Sequence, residues 1–395
     1  MSFRLTYDQL LLYLHVAYID ARRGKRQKPY QKRFENNAEE NLLLLCDELW
    51  SRNYLPGPST CFIITDPKTR EVFAAQFRDR IVHHLYYNYV HEMLERTFIA
   101  DSYSCIKGRG THYGISRLEK HIRKESQNYT EPCYVLKMDI RGYFMHINRQ
   151  RLLDITLASL RHMSAHRVAK DESVRWRDLV DMVFLEYLSR VIIMTNPIEG
   201  CRMRGNPLEW KDLPPEKSLF HSEPGCGLPI GNLTSQLFSN VYLNVLDQYA
   251  KSQLHCRHYG RYVDDFYVVS ADRERLRYIS NELTSFLKES LLLEVNKDKS
   301  IVYDVSFGVA FLGAFLKPHR RYVSNSTLHR MEMKVSKLCK QDSPESLRSS
   351  LNSFLGLLSH YRSYNIRLRM FYSLGYVYRY GHYLSGMRKY VLNHL

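Results

Sequence analysis

Apolar residues in the first sixty positions recur at helical intervals. Leu10, Leu11, Leu14 and Tyr18 share one face, and Leu42, Leu45, Cys46 and Leu49 share another. LPGPST at 55–60 breaks that rhythm, and the CFIIT that follows it reads as a short strand. A helix is expected over 72–94, where RDRIVHHLYYNYVHEML alternates charge and bulk. YVLKMDI at 134–140 is rich in β-formers and ends on an acid. Residues 150–190 read as helical, 196–225 as a polar, proline-bearing insertion, and LTSQLFSNVYLNVLDQYA as a helix packed on one face. HYGRYVDDFYVVS reads as two strands pinched around an acidic turn, and VAFLGAFLKP as strand-turn-strand. In the tail, Leu328, Met331, Val335 and Leu338 form one helical face and Leu347, Leu351, Phe354, Leu355 and Leu358 a second. Ser343-Pro344 is a good start for the latter helix.

A chain of 395 residues has room for two or three packed subdomains. Its apolar fraction of 44% and charged fraction of 25% are those of an ordinary globular protein. No apolar run is long enough to span a bilayer, and the N-terminus lacks the pattern of a signal peptide. The eight cysteines never form a CxxC pair, which fits the reducing cytoplasm better than a disulfide or zinc framework.

Charge changes the picture. The formal net charge is +16, and from Lys317 to Leu395 fourteen Lys and Arg stand against three Asp and Glu, with nine tyrosines interleaved. Basic side chains neutralise phosphates, and aromatic rings lie against sugars and bases. A solvated basic face would have the same composition, so charge alone specifies a polyanion and no particular one.

The sharpest chemistry lies at Tyr262-Val263-Asp264-Asp265. Adjacent carboxylates between β-formers repel unless a cation neutralises them. Upstream, YVLKMDI delivers Asp139 as a strand ends. A strand-end carboxylate with a hairpin pair is what two-metal phosphoryl transfer needs, and hard oxygen ligands suit Mg²⁺, or Mn²⁺ in its place.

The ordered segments KMDIRGYF, GLPIGNLTSQLFSNVYLNVLD, RYVDDF, LLLEVNKDKS and FLGAFL resemble motifs A to E of reverse transcriptases. DPKTREVFAAQFRDRIVHH and DSYSCIKGRGTHYG resemble the fingers motifs of that family, so the match runs from about residue 65 to 318. The resemblance implies an α+β right-hand polymerase: N-terminal helices and fingers over 1–130, a palm over 131–318 with an insertion near 149–225, and a basic helical thumb over 319–395. It also implies the roles. Asp139, Asp264 and Asp265 would be catalytic and, with the Ile140 carbonyl, would hold two ions. Lys68 and Arg70 would grip the triphosphate, Phe144 would exclude a 2′-hydroxyl and Gly231 would let the backbone approach the nascent base pair. Lys299 would protonate or neutralise pyrophosphate.

One departure is informative. Most reverse transcriptases have Gln before the motif B glycine and Ser-Pro after it, whereas this chain has Ile230-Gly231 and then Ser235-Gln236. LPIGNLTSQ, preceded by LPPEKSLF, closely resembles the reverse transcriptases of diversity-generating retroelements. That resemblance implies a bacterial or phage-encoded, cytoplasmic enzyme that copies a template-repeat RNA into cDNA with errors at adenines, for mutagenic retrohoming. Ile230 and Gln236 would then belong to the nucleotide site. Partners implied are template RNA, the cDNA/primer duplex, dNTPs and a small, basic, oligomeric accessory protein. Rivals are a group II intron-like, retron or phage-defence reverse transcriptase, and a non-catalytic RNA-binding protein on a polymerase scaffold.

Overall fold

The computed structural model describes residues 3–24, 27–66, 68–169, 173–372, 377–384 and 386–393. Three helices open it: α1 (Tyr7–Arg22), α2 (Pro29–Glu35) and α3 (Ala38–Trp50). The strands β1 (Thr60–Ile64) and β2 (Arg70–Ala74) precede α4 (Phe77–Glu95) and α5 (Thr111–Glu125). Next come β3 (Tyr134–Asp139), the one-turn α6 (Tyr143–His146), α7 (Arg149–Ser164), α8 (Met182–Met194), the two-residue β4 (Arg202–Met203) and α9 (Leu233–Ser252). β5 (His258–Tyr262), β6 (Asp265–Ser270), α10 (Arg273–Leu291) and β7 (Ile301–Asp304) follow. β8 (Val309–Phe311), β9 (Ala314–Lys317) and β10 (Arg320–Val323) form a meander. The chain then runs through α11 (Asn325–Lys340), α12 (Pro344–Leu358), α13 (Tyr364–Tyr372) and α14 (Val377–Tyr380), and into the hairpin of β11 (Gly381–Leu384) and β12 (Lys389–Leu392).

The architecture is α+β, and its central sheet is formed by the segments that the sequence assigns to the expected palm. The palm is an antiparallel sheet in the order β5-β6-β3-β7. Strand alternation divides its side chains between two cores. Leu136, Met138, Phe266 and Val268 join α1, α3, α4 and α7 to α10, while Val135, Tyr267 and Val269 join α5, the β8–β10 meander and the C-terminal helices. Both faces are therefore covered. The second face grows more polar along β3, from Val135 through Lys137 to Asp139, and so opens into a cleft at the strand's C-terminal end. The fingers sheet has the order β2-β1-β4.

Several sequence expectations need correction. The helix expected over 72–94 begins only at Phe77; residues 70–74 are a strand. Glu71 and Phe73 turn inward and pair with β1, and that long-range pairing overrides the local pattern. The 20-residue α9 is not packed on one face, since Thr234, Ser235, Leu237, Phe238, Asn240, Tyr242, Leu246 and Asp247 are all buried. Residues 149–194 hold α7 and α8, whose Leu152, Leu160, Leu185 and Leu188 are core, so that part is not a polar insertion; the stretch after α8 is irregular. Pro318 lies in the β9–β10 turn, helix resumes at Asn325, and the tail ends in strands as well as helices. Ser343 occupies the N-cap of α12 without a side-chain capping bond. Among the described residues no helix is long and apolar enough to cross a membrane.

Two glycines test the packing in opposite directions. A Cβ on Gly260 would lie 2.7 Å from Tyr267 Oη, inside the palm. One on Gly356, on the exposed face of α12, would meet nothing within 4 Å. In urea unfolding, Gly260→Ala should lose about 1–3 kcal/mol, and Gly356→Ala should gain about 0.5–1 kcal/mol.

Candidate active site

The three aspartates meet across the palm. Asp139 ends β3 directly opposite Asp265 on β6, and Asp264 lies in the two-residue turn between Tyr262 and Asp265. Val263, the other turn residue, has φ +56°. A β-branched residue in the left-handed region is strained and persists only where its surroundings hold it.

Those surroundings are a polar network with no exposure. Arg261 and Asp247 are both fully buried and paired through two bonds, Nε to Oδ1 at 2.8 Å and Nη2 to Oδ2 at 2.7 Å. Arg261 Nη1 donates to the Val263 carbonyl at 3.0 Å and to Asn240 Oδ1 at 3.2 Å. The Val263 N–H donates to Ser104 Oγ at 3.1 Å, and Tyr259 Oη donates to Asp247 Oδ1 at 2.6 Å. Burial alone would lower the guanidinium's pKa, but Asp247's charge and hydrogen bonds outweigh it and raise it. Residues 101–104, in the DSYS segment, run beside this strand; Arg261 N–H donates to the Asp101 carbonyl and Tyr103 N–H to that of Arg261, each at 2.9 Å.

At the cleft, lysines hold two of the acids. Lys299 Nζ lies 2.8 Å from Asp139 Oδ2, which also accepts from Asn296 Nδ2 at 3.3 Å. Lys137 Nζ lies 3.6 Å from Asp265 Oδ1. Asp264 is pushed up to about 6, first by burial and then by the charges of Asp139 and Asp265. Burial also raises Asp265, against the pull of Lys137. The hydrogen bond to Asp139 raises Lys299. Among the described residues no three His, Cys, Asp or Glu side chains are gathered closely enough to form a ready metal cage. The donor set is nonetheless one that a hard divalent cation fits: three carboxylates, one of them electrostatically strained, with the Ile140 backbone alongside, bridged to Val295. A cation reaching Asp139 would have to displace Lys299.

The other expected residues lie on β2 and the loop before it, on α6, and on α9 and the turn before it. Phe144 is half-buried on α6, edge-on to Tyr143 at 5.2 Å. Phe144 and Ile230 pack against one small cluster of Cys61, Phe73, Met145 and Leu219. Gly231 has φ +128°, and a Cβ there would lie 2.7 Å from the Phe73 carbonyl, so the close approach it permits is to the fingers strand β2. Arg70 is exposed on β2; its charge opposes the rise that burial and Cys105 impose on Tyr262, beside the acidic turn. Lys68 sits on the exposed loop between β1 and β2, and Gln236 on the exposed side of α9. Among the described residues neither is bonded to the aspartates. An ion pair joins Asp66 on that loop to Lys334 on α11.

No family model matches the chain. Protein YkfC of Escherichia coli (strain K12) is 24% identical over 353 residues, covering 80% of this chain and 79% of that protein. Telomerase from Candida tropicalis is similar in structure with a TM-score of 0.48 and 12% identity, over 82% of this chain and 61% of that one. For telomerase from Candida albicans, solved with a fragment of telomeric RNA, the TM-score is 0.45 and the identity 11%, over 84% and 60%. The chain thus spans about three fifths of the telomerase chains it matches.

Sequence reasoning missed Asp247, Asn240, Ser104, Lys137 and Asn296, and noted Arg261 only as a flank. A signal existed. Asn240, Leu243 and Asp247 share a helical face with Leu246 and Ala250, and Arg261 lies in a run of strand formers, so acid and base each stand at a core position.

Asp264 carries a raised pKa, so its ionised form weakens the fold above about pH 6, and that penalty fades as pH falls through 6 towards its ordinary value. Asp264→Asn should therefore raise the thermal midpoint without metal at pH 7 by about 2–4 °C, with the advantage shrinking below pH 6. A divalent cation should raise the wild-type midpoint and leave the variant's unchanged; calorimetry reads both effects.

Proposed function

We propose that the chain is an RNA-directed DNA polymerase, of the diversity-generating-retroelement kind, acting through Asp139, Asp264 and Asp265. The observation that carries the reading is the alignment of three carboxylates at one end of the palm sheet, with Asp264 raised to about 6 by burial and then by its neighbours' charges, on a turn whose Val263 is bonded by a buried network. Two Mg²⁺ ions, held by these carboxylates and the Ile140 carbonyl, would supply Lewis acidity at a primer 3′-hydroxyl and at the triphosphate. Lys299, once released from Asp139, would neutralise charge on departing pyrophosphate. Arg70 and Lys68, exposed on the fingers, would hold the triphosphate as it enters. Phe144 would bar a 2′-hydroxyl by bulk.

Low fidelity follows from the chemistry of Ile230. It packs on an apolar cluster with Phe144 and brings no side-chain hydrogen bond to the nascent pair. A missing hydrogen bond of that kind weakens discrimination by about 1 kcal/mol or more. The exposed Lys and Arg of α11, Arg330, Lys337 and Lys340, suit the backbone of a template–primer duplex. The accessory protein is carried by the resemblance alone.

Primer extension on a defined RNA tests the reading. Wild type should make cDNA only with a divalent cation, and Asp264→Asn should lose at least about a thousandfold in rate; cation-independent synthesis, or an active variant, contradicts it. Sequenced cDNA should carry errors concentrated opposite template adenines, reduced by Ile230→Gln. A uniform error rate over the four bases defeats the retroelement assignment.

A further inference from the structure

Residues 207–222 are tied to β2 by the packing of Phe220 against Phe73 and by one buried carboxylate. Glu71, on β2, is 1% exposed. Its Oε1 accepts from Trp210 Nε1 and from Ser218 Oγ, each at 3.0 Å, and its Oε2 accepts from the Leu219 N–H at 2.7 Å. All three partners are neutral. A buried carboxylate held this way is a costly anchor, but only an acceptor-only group can gather three converging donors. An amide in its place would turn its own N–H₂ towards a donor.

The anchored segment abuts the surroundings expected for an incoming nucleotide. Leu219 belongs to the cluster on which Phe144 and Ile230 pack. The Glu216 carbonyl approaches motif A so closely that a Cβ on Gly142 would lie 2.8 Å from it. The strand that carries Glu71 also presents Arg70, and the Phe73 N–H donates to the Ile230 carbonyl at 2.8 Å. Within four residues β2 therefore holds a cation, a latch and the backbone on which Ile230-Gly231 rests.

We propose that Glu71 is a positioning residue that determines nucleotide selectivity. By fixing residues 210–219 to β2 it sets the spacing of Phe144, Ile230 and Arg70; the inference rests on the polymerase reading above. Glu71 touches no reacting atom and acts through those three.

Single-nucleotide extension on an RNA template, with dNTP and rNTP in separate arms, compares wild type with Glu71→Gln and Trp210→Phe. The KM for the correct dNTP should rise about tenfold in Glu71→Gln and less in Trp210→Phe, with kcat within about twofold. Discrimination between dNTP and rNTP should shift in the same order. A merely structural anchor would lower the thermal midpoint and leave KM and discrimination unmoved, and that outcome overturns the proposal. If Glu71→Gln does not fold, Trp210→Phe decides by the same criteria. Absence of extension by wild type removes the polymerase reading and this inference with it; extension by wild type with unchanged selectivity in the folded variants removes the latch alone.

Discussion

Arg261 and Asp247 have no exposed surface, and the turn that carries the acids is held by what remains of the guanidinium after that pairing. Burying such a pair in the middle of a palm is close to neutral in stability when complete, whereas removing one partner costs about 3–5 kcal/mol. What the pair provides is geometry. Its third donor grips the Val263 carbonyl while Ser104 takes the Val263 N–H, so a β-branched residue is kept at positive φ. Asp264 is thereby kept in the turn next to Asp265, where its charge is coupled to both register partners, Asp139 and Asp265.

The result is a centre that is electrostatically unsatisfied by construction. Two of its carboxylates lean on lysines, and the third is left with a pKa near 6. Lys299 occupies the place beside Asp139 that a cation would claim, and it is more than half exposed, so it can leave without breaking the core. The protein thus stores at this cleft a preference for positive charge, which its own side chains meet only in part.

Much of this was legible in the sequence. The YVLKMDI and RYVDDF strands and their acids stand where the pattern put them, because strand alternation and turn chemistry are local. What could not be read depends on long-range pairing. β2 looked helical until β1 lay beside it, and nothing in the local sequence shows that the Phe73 carbonyl lies against Gly231. Asp247 and Glu71 are ordinary acids in the sequence; only burial beside particular donors gives them roles. The irregular stretch after α8 is likewise organised from outside, through a carboxylate almost 140 residues upstream of its first partner.

The most direct test of the account is a crystal structure of the chain with an RNA template, a DNA primer, Mg²⁺ and a non-hydrolysable dNTP. The account predicts two ions coordinated by Asp139, Asp264 and Asp265, Lys299 withdrawn from Asp139, and Val263 still at positive φ over an unbroken Arg261–Asp247 pair. Ions bound away from these carboxylates, or a remodelled 262–265 turn, would contradict it.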